Sequence, residues 1–154
     1  MSISAKVLIG IAGFVLVFLV AAQLGAFNGK RPGDLGVRDG KLKACPDSPN
    51  CVSTQAQDEE HRIEPITYIG ETAAAKAKLM GVVGAMWGTK VVVEQPDYIY
   101  VEFKTPGFQF VDDVEFYFDD AAKVIHFRSA SRLGYSDMGL NRRRMEDIRR
   151  RFGE

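Results

Sequence analysis

The stretch FQFVDDVEFYF (108–118) decides the fold. Phe108, Phe110, Val114, Phe116 and Phe118 share one parity, and Gln109, Asp113, Glu115 and Tyr117 share the other. That period of two predicts a strand with one apolar face. Asp112 is the exception, because unbroken alternation turns its carboxylate toward the apolar side. An unpaired charge there costs several kcal/mol, so the sequence calls for a β-bulge or a buried cationic partner.

Working outward, KVVVE (90–94) and YIYVEFK (98–104) precede this strand and KVIHFRSA (123–130) follows it. The connections Gln95-Pro96-Asp97 and Asp119-Asp120 are short, which favours an antiparallel meander. His61 to Tyr68 carries Ile63, Ile66 and Tyr68, but Pro65 restricts it to an edge strand or an extended entry segment. From Thr72 to Trp87 the period changes. Ala73, Ala74, Ala75 and Ala77, then Leu79, Val82, Val83 and Met86, fit a helix laid on a core. Gly81, Gly84 and Gly88 weaken it by about 1 kcal/mol each relative to Ala, unless close packing requires them. The chain closes with Asn141 to Phe152, where Met145, Ile148 and Phe152 make a narrow apolar stripe in an arginine-rich helix. An α+β domain follows, with one antiparallel sheet of about four to five strands and two helices on one face, in the order β-α-β-β-β-β-α. Trp87, Tyr98 and Tyr100 are expected in the core or on the sheet surface.

The chain has 154 residues, with 46% hydrophobic and 26% charged residues and a formal net charge of zero. This composition excludes disordered, collagenous and coiled-coil chains. It supplies no global field for nucleic acid, and no nucleic-acid motif is visible. Val7–Phe27 (VLIGIAGFVLVFLVAAQLGAF) has Gln23 as its one strongly polar side chain. As a helix it reaches roughly 31 Å, about the thickness of a bilayer core. Residues 1–27 are therefore read as a transmembrane anchor. The rival is a cleaved signal peptide, with Val20-Ala21-Ala22 before the cut, which would leave a soluble exported protein. Residues 28–43, with Asn-Gly, Pro-Gly and Asp-Gly pairs, are read as an extended linker, and residues 44–154 as the domain.

Lys30, Arg31, Arg38 and Lys41 follow the apolar run and only Lys6 precedes it, which by the positive-inside rule places the domain in the cytoplasm. The cysteines argue otherwise. Cys45 and Cys51 bracket Pro46-Asp47-Ser48-Pro49-Asn50, a turn-forming loop that brings two thiols within disulfide range. Such a pair suits an oxidising compartment. We weigh it above the charge count, which gives a single-pass inner-membrane protein with its domain in the periplasm. Two free thiols, or a zinc site using His61 or His126, are the alternatives.

CPDSPNCVST (45–54), FQFVDDVEFYF (108–118) and VIHFRSASRLGYSDMGLNRRRME (124–146) resemble the signature blocks of domain-of-unknown-function family 1499, over about residues 34 to 150. The resemblance implies a compact domain, often behind a membrane segment or export signal, and no established activity. It draws attention to polar blocks at Asp112, Asp113, Arg128, Ser129, Ser131, Arg132, Tyr135, Ser136, Asp137, Asn141 and Arg142.

Physically, this set leaves a strand, turns through Gly134–Asp137 and enters an arginine-rich helix with Asn141 as a candidate N-cap. Guanidinium groups, hydroxyls and a helix amino terminus suit an anion such as a carboxylate, a phosphate or a lipid headgroup. The same residues suit a buried lattice in which Arg128 or Arg132 neutralises Asp112 and Asp113 while Ser136 and Asp137 hold the turn. No hydrolase, zincin, P-loop or dinucleotide signature is present, and no metal or cofactor is expected. The expectation is a non-catalytic binding or envelope-assembly module for an anionic ligand or a protein partner. The alternative is a hydrolase or transferase acting on an envelope lipid or glycan, with His126 as base beside Ser129 or Ser131 and Asp112 or Asp113 orienting it. Strand parity opposes that triad, since His126 shares a face with Arg128 and not with Ser129. The terminal arginines could also lie against anionic headgroups.

Overall fold

In a computed structural model describing residues 2–154, the meander is the centre of the molecule. Strand β3 is Thr89–Glu94, β4 Tyr98–Lys104, β5 Val111–Asp119 and β6 Val124–Ser131. Two short strands, β1 (Cys51–Ser53) and β2 (Ile66–Thr67), both pair with β6. The sheet therefore has six strands, ordered β1-β6-β5-β4-β3 with β2 beside β6, every pairing antiparallel. β2 begins directly after Pro65, where the lost backbone donor no longer matters.

Helices α2 (Thr72–Gly84) and α3 (Leu140–Gly153) cover one face. Ala75, Leu79 and Val83 of α2 and Met145, Ile148 and Phe152 of α3 pack on Ile99, Val101, Phe103, Val114, Phe116, Phe118, Ile125 and Phe127. α2 ends earlier than its pattern suggests. Trp87 falls in the turn beyond it and is 65% exposed, so it belongs to neither the core nor the sheet surface.

Two further readings are corrected. Phe108 and Phe110 lie outside β5, in a turn closed by the Gln109 N–H donating to the Thr105 carbonyl, with Gln109 at φ 57°. They face the first helix, α1 (Ile3–Gln23), and the turn after it: Phe108 meets Phe18 of α1 at 5.3 Å between ring centroids, and Phe110 meets Phe27, beyond the helix, at 5.5 Å. Nor are residues 28–43 a free linker. Leu35, Val37 and Leu42 pack on Val92, Val93, Tyr98, Tyr100 and Tyr117, so the segment lies across the face of the sheet that the helices leave open. Gly29, Gly36 and Gly40 turn its course at positive φ, and the tyrosines give it something to cover.

α1 is capped by the Ser2 hydroxyl, which accepts from the Ala5 N–H at 3.3 Å. It is long and apolar enough to cross a membrane, and Ala22 is its one buried residue.

Candidate functional site

β5 pairs with both neighbours in unbroken register, so Asp112 does face the helices and no bulge relieves it. Its partner is Arg144, whose Nη2 donates to Asp112 Oδ2 at 2.5 Å while the guanidinium lies over the Phe103 ring. Arg144 comes from α3, not from the 128–132 segment where the sequence reading sought it. Around this pair the Ser129 hydroxyl donates to Asn141 Oδ1, and Asn141 Nδ2 donates to the Asn50 carbonyl and to Ser131 Oγ, both at 3.0 Å. Asn141 is thus a buried tie between α3, β6 and the disulfide loop. The N-cap position is Gly139, not Asn141, and the acceptors at this helix start come from Asp137, whose Oδ1 accepts from the Gly139 N–H at 2.9 Å and whose Oδ2 accepts from the Asn141 N–H at 2.6 Å.

Asp113 points to the opposite face and holds Arg132. Arg132 Nε donates to both Asp113 oxygens at 3.0–3.1 Å, and Nη2 donates to Glu102 Oε1 at 2.5 Å and to the Tyr100 hydroxyl at 2.9 Å. The Tyr100 hydroxyl in turn donates to Asp113. Arg31, from the covering segment, reaches Glu102 Oε1 with its Nε at 2.9 Å. Burial opposes the Arg132 charge, but its bonds to Asp113 and Glu102 win and raise its pKa. Burial likewise pushes Glu102 up, and the hydrogen bonds from Arg132 and Arg31 overcome it, holding the carboxyl below its ordinary range.

A looser pair lies beside them. Glu115 Oε1 accepts from the Tyr98 hydroxyl at 2.8 Å and from the Gly36 N–H at 2.7 Å, whereas its Oε2 stands 3.8 Å from Arg128 Nη1. Glu115 Oε2 and Arg128 Nε have no hydrogen-bond partner among the described residues. Burial moves both toward neutrality, raising the Glu115 pKa and lowering that of Arg128.

The eleven candidate residues therefore divide. Asp112, Ser129, Ser131 and Asn141 meet under α3, and Asp113, Arg128 and Arg132 meet under residues 28–43. Ser136 accepts from the Met138 N–H within its own turn. Arg142 donates to the carbonyls of Glu60 and Arg62, and Tyr135 is 75% exposed. Sequence reasoning missed Glu102, Glu115, Arg31 and Arg144 as members of these networks. Parity in YIYVEFK could have found Glu102, because Tyr98, Tyr100 and Glu102 occur on one side of the strand and the meander sets them against Glu115 and Asp113.

His126 lies on the face under residues 28–43, its ring near parallel to Tyr117 and its Nδ1 3.1 Å from the Thr54 hydroxyl. Burial lowers its pKa. Ser129 and Ser131 stand on the helix side, so the sheet separates them from His126. Cys45 and Cys51 form a disulfide, which removes both thiols from any zinc site. His61, also weighed as a ligand, instead ties loops together: Nδ1 lies 2.6 Å from Asp58 Oδ1 and Nε2 lies 3.1 Å from the Ser48 carbonyl. Burial opposes its charge, yet these two acceptors outweigh burial and raise its pKa. No group of three His, Cys, Asp or Glu side chains suited to a metal occurs among the described residues.

Searches with the chain match no curated protein and no solved structure. Residues 41–152, from the end of the covering segment to the last turn of α3, match the family described as "Protein of unknown function (DUF1499)", and the chain belongs to that family.

Proposed function

We propose that the chain is a membrane-anchored, extracytoplasmic, non-catalytic module that holds a protein partner in the envelope. One observation carries this reading: the cations that made an anion site attractive are buried beside carboxylates of the domain itself. Arg132 and Arg144 are buried against Asp113, Glu102 and Asp112, and Arg128 is buried beside Glu115. A small anion entering there would have to displace charge-assisted bonds already made in a dry site, so it gains little. The reactive hydroxyls are similarly committed to Asn141. The Cys45–Cys51 disulfide supports an oxidising compartment, and α1 supplies an anchor.

The test has a location arm and a role arm. An alkaline phosphatase fusion after Glu154 should be active and the matching fluorescent-protein fusion dark, with Cys45 and Cys51 blocked to thiol reagents until reduced. In cells, lysine crosslinking of the full chain should give a discrete adduct with an envelope protein, unchanged in His126→Ala and Ser129→Ala variants. An inactive phosphatase fusion overturns the location. Turnover of an envelope lipid or glycan that disappears in His126→Ala overturns the role.

A further inference from the structure

Outside residues 1–27, seven large hydrophobic residues are exposed among those described: Ile69, Trp87, Val91, Phe108, Leu133, Tyr135 and Met138. Five of the seven share one end of the sheet. Phe108 sits in the turn between the end of β4 and the start of β5, and Leu133, Tyr135 and Met138 lie in the loop between the end of β6 and α3. Trp87 lies two residues before β3, whose first residue pairs with Phe103 near the end of β4. Gly88 (φ 78°) fixes its position, because a Cβ there would come within 2.5 Å of the Lys104 carbonyl oxygen. Ile69 lies at the other end, beside the β5–β6 turn.

The anchor arrives at this same end. Gly29 lies against Arg132 and Leu133, Gln109 Nε2 donates to Gln23 Oε1 at 2.9 Å, and Phe108 touches Phe18. Phe18 is five residues inside the end of α1, roughly 7.5 Å along the helix axis. A helix that spans a bilayer therefore draws the Phe108 turn down to the depth of the headgroups and upper acyl chains. Tryptophan, tyrosine and phenylalanine are the side chains suited to that depth. Between the 105–110 turn and the 133–140 loop a groove of about 300 Å³ opens, lined in part by Phe108, Phe110, Leu133 and Met138. The exposed charges nearby are Lys30, Lys104 and Arg143, whereas the neighbouring Asp137 is spent on the helix cap. This charge suits anionic headgroups.

We propose that Trp87, Phe108, Leu133, Tyr135 and Met138 form a docking rim that seats the domain on the lipid surface its own anchor crosses, with the sheet standing on the bilayer. From β6 to β3 the rim spans three strand spacings, roughly 14 Å. The inference rests on α1 being a retained anchor and is independent of the nature of any protein partner. α3 carries its remaining arginines away from this end, so the rim, and not the arginine helix, is the lipid-facing surface.

The single tryptophan is a ready reporter. The full chain is reconstituted in vesicles of phosphatidylcholine and phosphatidylglycerol, free of other proteins, with bromine placed at shallow or deep acyl positions. Trp87 should be quenched severalfold more by shallow than by deep bromine and be shielded from aqueous acrylamide. Met138→Trp in a Trp87→Phe background should behave alike, and Ile69→Trp should stay open to acrylamide and untouched by bromine. Phe14→Trp in the same background reports the anchor through deep bromine. If Phe14→Trp is quenched while Trp87 and Met138→Trp remain in water, the rim is overturned with the anchor intact, which leaves that surface to a protein partner. Quenching at only one of the two overturns the rim as a whole. If Phe14→Trp is not quenched, the anchor reading fails first and the rim with it.

Discussion

Phe116 and Glu115 are neighbours in one strand and both are fully buried, the first under two helices and the second under an extended segment without regular structure. The helix face follows the ordinary logic of a half-buried sheet. Each large apolar side chain removed from water contributes about 1.5–3 kcal/mol, and the cover need only be apolar and well shaped. On the opposite face the buried side chains include Tyr98, Tyr100, Glu102, Asp113, Glu115 and Arg128, so burial costs desolvation that pairing only offsets. A cover there must bring matching groups. Residues 28–43 do so with the Arg31 guanidinium and the Gly36 N–H, while Leu35, Val37 and Leu42 meet the tyrosine rings. The difference teaches that a polar parity in a strand need not mean a wet face.

The strongest way to break the comparison is to attack the buried ion pair on the helix face, Asp112–Arg144. Arg144→Met leaves the Asp112 carboxylate alone in an apolar layer and should cost about 3–5 kcal/mol in urea unfolding. Adding Asp112→Asn should recover most of that loss, because the penalty belongs to the stranded charge and not to a missing contact. Arg132→Met on the other face should cost less, since Arg31 and the Tyr100 hydroxyl still meet Glu102 and Asp113. An Arg144→Met protein within about 1 kcal/mol of the parent would mean that Asp112 is solvated there and that the two faces do not differ as described.

The apolar half of this arrangement was legible because a period of two and a period of 3.6 are each written into contiguous residues. The meander, both helices and the need for either a bulge or a cation at Asp112 all follow from local pattern. The identity of that cation does not, because Arg144 is 32 residues away and reaches Asp112 only once α3 has docked. For the same reason, a polar block contiguous at 128–142 is divided by the sheet into two networks. The role of residues 28–43 was hidden by composition: glycine pairs and few large apolar residues also describe a free tether, and only the assembled sheet, with Val92, Val93, Tyr98, Tyr100 and Tyr117 side by side, gives the segment a surface. Leu42→Ala tests this directly. Leu42 is 7% exposed, so its truncation should cost about 2 kcal/mol, the lower end for a buried leucine, and Leu79→Ala under the helices should cost more. A free tether predicts a change within about 0.5 kcal/mol.

The smallest effect sharpens the comparison most finely, because Arg31 is the one ionic bond between the covering segment and the lattice. Its side chain is 48% exposed, so Arg31→Ala should cost under about 1 kcal/mol at neutral pH and low salt, and less as salt rises. The pH dependence separates charge from packing. The Glu102 carboxyl lies below its ordinary value near 4.5, so its ionised form contributes stability that is present above that value and is lost as pH falls through the folded-state value. Without Arg31 the folded value moves back up, and the difference between parent and variant should close in acid. Glu115 has the opposite sign, since burial raises its pKa and its contribution is lost as pH rises, but it is common to both proteins and cancels in the difference. A difference that persists below the folded-state value of Glu102, where that carboxyl is protonated, would assign the Arg31 contribution to its stacking on the Tyr100 ring, 5.7 Å from the centroid, and not to Glu102. Arg31 would then hold the cover by the contact that Arg144 makes on the other face, a guanidinium laid over an aromatic ring.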